Sequence, residues 1–158
     1  MNISLGEVKF FEPISEEKIN QLQKGLVQSG LELMDDKKAI LIEKIKLVLI
    51  EMVHYSDEIP KVNFSDYLCE KLNYDYTYLS NIFSENQGMT IKHFIILHKI
   101  EKVKELIIHD EKSLSEISNI LHYSSVSHLS NQFKKITGLT PTFFKSILNK
   151  RRKALDKI

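Results

Sequence analysis

Two asparagines, Asn81 and Asn131, stand fifty residues apart in the same local sequence. The first lies in Leu79-Ser80-Asn81-x-Phe83-x-x-x-x-Gly88-x-Thr90, the second in Leu129-Ser130-Asn131-x-Phe133-x-x-x-x-Gly138-x-Thr140. A carboxamide sets an acceptor beside a donor, which suits two-point hydrogen bonding to the edge of adenine. Around each asparagine stand further small side chains: Thr77 and Ser80 in the first copy, Val126, Ser127 and Ser130 in the second. Hydroxyls hydrogen-bond to base edges, and the methyls of Thr77 and Val126 can touch a thymine methyl. His128, Lys134, Lys135 and the amides near Thr140 offer what a phosphate needs, positive charge and N–H donors. The competing reading is a solvated helix surface with no role. Duplication of the polar residues on the face opposite Leu and Phe argues against it, as does the local charge excess around Lys134 and Lys135.

Other chemistries find little support. The six histidines, His54, His93, His98, His109, His122 and His128, form no paired-histidine motif, and there is no Cys-x-x-Cys of the kind that holds zinc. No Gly-rich phosphate loop is present and nothing points to a Ser/His/Asp set, so neither cofactor nor covalent catalysis is expected. Cys69 is the single cysteine. It cannot form an internal disulfide, fits a reducing cytoplasm, and is expected to pack in the core. Tyr74, Tyr76 and Tyr78 stand two apart and cannot form one helical stripe, so one or two of them should pack in a turn. No run approaches the ~20 apolar residues of a membrane span. Ile40 to Val53 comes nearest and is broken by Glu43, Lys44, Lys46 and Glu51. With no basic start followed by an apolar run, a cytoplasmic location is expected.

Each asparagine pattern needs a scaffold, and the flanking residues supply one. A short amphipathic segment precedes each copy and ends in Leu, a polar residue and Tyr: Leu72-Asn73-Tyr74 and Leu121-His122-Tyr123. Short helix, tight turn, and a second helix stopped by Gly make a helix-turn-helix unit. In the first unit Asn63 or Ser65 caps a helix carrying Tyr67, Leu68 and Leu72; Asp75 caps the next, and Gly88 ends it. Thr90 then caps a long helix with Phe94, Ile95, Ile100, Val103, Leu106 and Ile107 inward. Ser113-Leu114-Ser115-Glu116 is a capping box opening the second unit. Ser124 or Ser125 caps its second helix, Gly138 ends it, and Thr140-Pro141 starts a last helix with Pro in the favoured first position.

Charge is divided along the chain. Residues 1–60 carry seven lysines and eleven acids, a net of −4, whereas residues 113–158 carry eight basic and two acidic side chains, a net of +6. A basic block around the second unit suits a polyanion, because each phosphate contact releases counterions. Spacing is also suitable. The connecting helix, Ile91 to His109, would be about 28 Å long, and the end connections bring the units towards the roughly 34 Å repeat of one duplex face.

The residues from Phe64 to Ser146 resemble the DNA-binding domain of the AraC/XylS family of bacterial transcription regulators. The resemblance is densest in Ser113 to Phe144, SLSEISNILHYSSVSHLSNQFKKITGLTPTFF, above all in Phe133-Lys134-Lys135-x-x-Gly138-x-Thr140-Pro141. It implies two helix-turn-helix units joined by a helix, each inserting its second helix into a major groove. The chain departs from the family's usual residues at His122-Tyr123, where Gly-Phe is common, at Lys99 for Arg, and at Val103 for Ala. His122 is then expected in a left-handed turn conformation, and Lys99 weakens the bidentate salt bridge expected there.

The first third does not match the effector-binding β-barrel common in that family. Ile3-x-Leu5-x-x-Val8-x-Phe10 reads as a strand, Ser15 caps a helix with Ile19, Leu22 and Leu26 that ends at Gly30, and Leu31-x-Leu33 reads as a second short strand. Asp35 or Asp36 opens a helix over roughly Lys37 to Tyr55, and Ser56 to Pro60 is the expected boundary. The fold class that follows is mainly α: tandem helix-turn-helix units joined by a long linker helix, preceded by a small α/β or helical N-terminal segment. Residues 1–58 form that segment, assigned to dimerisation or contact with a partner. Residues 59–158 form the DNA-binding domain, with units at about 64–90 and 113–140. Double-stranded DNA is the expected partner, with RNA polymerase and a second copy of the chain as further candidates. The rival reading is a helical protein-interaction adaptor in which the repeat is a duplicated packing unit. An adaptor has no need of the basic block.

Overall fold

The computed structural model describes residues 2–4, 7–9, 12–33, 37–55 and 63–157. The chain divides into two compact units, Met1–Ile40 and Leu41–Ile158.

In the first unit, β1 (Asn2–Ser4) and β2 (Glu7–Lys9) pair antiparallel, with Ile3 opposite Val8. The stretch expected to be one strand is therefore two. Helix α1 (Glu16–Gln28) follows, with Ser15 at its N-cap. The strand expected at Leu31-x-Leu33 is absent. The Leu31 amide donates back to the Leu26 carbonyl and that of Gly30, at φ 75°, to Val27, so this backbone closes the helix.

The second unit begins inside α2 (Lys37–Ile50), which runs into a π-helical turn at Glu51–Tyr55. The residues expected to start α2, Asp35 and Asp36, and the expected junction at Ser56 to Pro60 lie outside the described residues. Then come α3 (Phe64–Leu72), α4 (Tyr76–Gln87), α5 (Ile91–His109), α6 (Leu114–Ile120), α7 (Val126–Thr137) and α8 (Pro141–Leu155). Leu41, Ile42, Ile45, Leu49, Met52 and Val53 are buried in one cluster with Leu68, Phe83, Ile100, Val103 and Phe133. The helix-turn-helix units therefore take their core partly from residues ahead of position 59. The wide apolar face of α2 made this possible: nothing short of a second packed layer covers it.

The π-helical turn is fastened to α5 by polar contacts as well. Lys102 Nζ donates to the His54 carbonyl at 3.2 Å and pairs with Glu105. The His54 and His98 rings meet edge-on, with Nε2 and Nδ1 3.1 Å apart. One ring must be an acceptor in that bond, and therefore neutral. Burial lowers the pKa of both imidazoles from 6.5, with Lys102 adding to the effect on His54 and His54 to that on His98, against the opposing pull of Glu101 and Glu105. The unfolded chain then takes up protons first as pH falls. This contribution to stability is present above about pH 6.5 and is lost as pH drops towards the lowered folded values. Melting curves between pH 7.5 and 5.5 should show the midpoint falling with pH, and His98→Gln should flatten that slope. A midpoint independent of pH over this range would contradict the arrangement.

Candidate nucleic-acid interface

The two helix-turn-helix units are built alike. In the first, the Asn63 side chain accepts from the Ser65 amide, which settles the cap in favour of Asn63. Helix α3 ends on Asn73 in the left-handed region at φ 55°. The Asp75 carboxylate then accepts from the Thr77 and Tyr78 amides to open α4, and Gly88 at φ 66° ends it. In the second, the Ser113–Glu116 capping box is complete in both directions. His122 takes the left-handed turn position at φ 54°, Ser125 caps α7 through the His128 amide, and Gly138 at φ 79° stops it. At Gly88 and Gly138 the positive φ is what fits glycine. Thr90 and Thr140 cap the helices that follow.

This scaffold exposes most of the expected reading residues. Thr77, Asn81, Val126, Ser127 and Asn131 are exposed, while Ser80 and Ser130 are half-buried. Beneath them Leu79, Ile82, Phe83, Leu129 and Phe133 are buried. Asn81 and Asn131 therefore stand at the same place on two helices whose opposite faces are anchored in the core. The Ser80 hydroxyl is engaged with Tyr76, whose own pKa burial raises and this hydrogen bond lowers, so it is less available than its counterpart position suggests.

The phosphate candidates are exposed too. His128 Nδ1 lies 3.0 Å from the Ser124 hydroxyl, leaving Nε2 for a phosphate oxygen. Lys134 and Lys135 lie in the last turn of α7, where a cation also complements the helix C-terminus. The Thr140 hydroxyl is committed to the Phe143 amide at the start of α8, so a phosphate there would meet backbone amides. Of the chain's two arginines, Arg152 donates to the Ile108 carbonyl at the end of α5, and Lys145 pairs with Asp110 at 2.6 Å beside it. This part of the basic tail therefore holds α8 to the linker helix, a role the charge count alone did not reveal.

The tyrosines at the first turn divide. Tyr76 is half-buried against Phe64, with ring centroids 6.0 Å apart. Tyr74 and Tyr78 are exposed and stacked on one another at 5.6 Å. Cys69 is half-buried. Among the described residues no group of His, Cys, Asp or Glu is placed to hold a metal ion, and no helix is long and apolar enough to cross a membrane.

Comparison with known proteins places this architecture. Residues 68–146 match the family described as a helix-turn-helix domain. The chain is 26% identical over 120 residues to a probable transcriptional regulator, LumQ, of Photobacterium leiognathi, covering 74% of this chain and 46% of that protein. It is 28% identical to the Msm operon regulatory protein of Streptococcus mutans, over 68% of this chain and 43% of that one. The chain thus spans less than half the length of these curated relatives. Among solved structures, the C-terminal domain of AraT, a response regulator of Geobacillus stearothermophilus, superposes with a TM-score of 0.59 at 21% identity, covering 71% of this chain and 88% of that one. An AraC-type DNA-binding-domain regulator of Chromobacterium violaceum gives 0.57 at 15% identity, covering 67% and 93%. At such identities these neighbours speak for the fold.

Proposed function

The chain belongs to the AraC-type helix-turn-helix family, and on that premise we propose that it is a cytoplasmic transcription regulator reading two adjacent major-groove segments of double-stranded DNA. One observation carries the reading: an exposed asparagine recurs at the same place on two capped, core-anchored helices, one before and one after the 19-residue α5 in the chain. Thr77, Ser80, Asn81, Val126, Ser127, Ser130 and Asn131 are assigned to base edges. His128, Lys134, Lys135 and the Thr140 amides are assigned to phosphates. The reading needs no cofactor and no covalent step. Because Leu41 to Val53 pack with the DNA-binding helices, the dimerisation or partner-contact role proposed for residues 1–58 falls mainly to residues 1–40; RNA polymerase is a further proposed partner of the chain.

Neither α4 nor α7 contains arginine, and the lysines of α7, Lys134 and Lys135, stand in its last turn and are assigned to phosphates, so the commonest specific contact to guanine has no assigned reader. Selection from a random duplex pool should therefore return sites whose most constrained positions are A·T pairs. Affinity should also lean on phosphates and fall steeply with salt. A consensus constrained mainly at G·C pairs would overturn this assignment of readers.

A further inference from the structure

The two units are alike in backbone but differ in how the second helix is held. In the second unit Tyr123, which follows His122, is only 8% exposed, and its side chain touches both α7 and α5. Its hydroxyl donates to Gln132 Oε1 on α7 at 2.7 Å. Its ring stands perpendicular to that of His128, also on α7, with centroids 5.3 Å apart. Over the same ring, 5.3 Å from its centroid, lies the Lys99 ammonium of α5. Lys99 Nζ also donates to the Leu121 carbonyl at the end of α6, 2.9 Å away. A helix end leaves carbonyls without intrahelical partners, and a cation there satisfies one and complements the dipole. One lysine of the linker helix thus caps α6 and presses on the tyrosine that ties down α7.

The first unit has no such arrangement. Tyr74, in the place of Tyr123, is 48% exposed and stacks on Tyr78. The α4 residue corresponding to Gln132 is Ile82, buried and apolar. Helix α4 is therefore held by apolar packing, which is non-directional, whereas α7 carries a directional hydrogen bond at the residue adjoining Asn131.

We propose that Lys99, Tyr123 and Gln132 form a brace that sets the orientation of α7 in the groove, making them positioning residues for base reading by the second unit alone. The proposal rests on the DNA-reading function above. Burial raises the pKa of the Tyr123 phenol to about 12, so the hydroxyl keeps its hydrogen-bonding proton at neutral pH, and lowers that of the Lys99 ammonium from its ordinary value.

The test uses the full chain and base-substituted duplexes scanning both halves of its selected site. Tyr123→Phe removes one hydroxyl and keeps the ring. It should lower discrimination in the α7 half about 3- to 10-fold, leaving the α4 half, the salt slope and binding to random duplex unchanged. Gln132→Leu should do the same, with no further loss when the two are combined. Lys99→Met should have a larger effect and Lys99→Arg should restore most of it; where Lys99→Met fails to fold, the other two variants carry the test. Melting curves accompany each variant. A Tyr123→Phe protein that stays folded and discriminates as before in both halves overturns the brace alone. Equal loss in both halves also overturns it, since that reports general loosening. A wild-type chain with no base preference in either half overturns the DNA-reading function and the brace together.

Discussion

Shortening the chain to residues 59–158 should cost it most of its stability, whereas residues 41–158 should melt as one cooperative unit. The shorter piece contains both helix-turn-helix units, yet it lacks the six apolar side chains that α2 and its π-helical turn bury in their core. The single-residue form of this experiment is Ile45→Ala. Ile45 is fully buried, and truncating such a side chain costs about 2–5 kcal/mol through lost transfer energy and the cavity left behind. That should lower the melting midpoint by roughly 10 °C or more. DNA affinity should fall only near the new midpoint, because Ile45 is nowhere on α4 or α7. An Ile45→Ala protein with an unchanged midpoint would mean that α2 is an appendage of the DNA-binding unit and no part of it.

Asn131→Ala should cost about 1–3 kcal/mol at one base pair and relax the preference there. Its amide is exposed on α7, so the fold should be untouched. Replacing both Lys134 and Lys135 by Ala should act in the opposite manner. Binding to every sequence should weaken, and the slope of log K against log salt should flatten by about one for each phosphate contact removed. Binding titrations at several salt concentrations, on the selected site and on random duplex, separate the two effects. If Asn131→Ala leaves the selected motif as it was, α7 does not lie in the groove with this face inward.

The helix-turn-helix units were legible in the sequence because local chemistry determines their limits. Asp75, Thr90, Ser113 and Thr140 cap where their spacing from the apolar residues says they should, and Gly88 and Gly138 stop where a positive φ is needed. The choice between Ser124 and Ser125 was not legible. Either hydroxyl can cap, and the structure gives the cap to Ser125 and leaves Ser124 to hold His128. Whether α2 stands apart from the DNA-binding helices or packs among them is a tertiary question, and an apolar face does not name its partner. The π-helical turn has no distinct periodicity over five residues, so it read as the end of an α-helix. At the site, the exposure of Asn81 and Asn131 followed from helical phase. The Tyr123–Gln132 bond did not, because it depends on the angle between a turn and a helix.

The central claim, that one chain reads two segments on one duplex face, is tested most directly by changing their separation. The selected site should contain two short blocks about 10 base pairs apart. Inserting about 5 base pairs between them turns the second block to the opposite face, a displacement the 19-residue α5 cannot follow. Affinity should then drop to that of a duplex carrying a single block. Affinity unchanged by the insertion would contradict the claim, since it would show that only one unit reads bases or that two chains share the site.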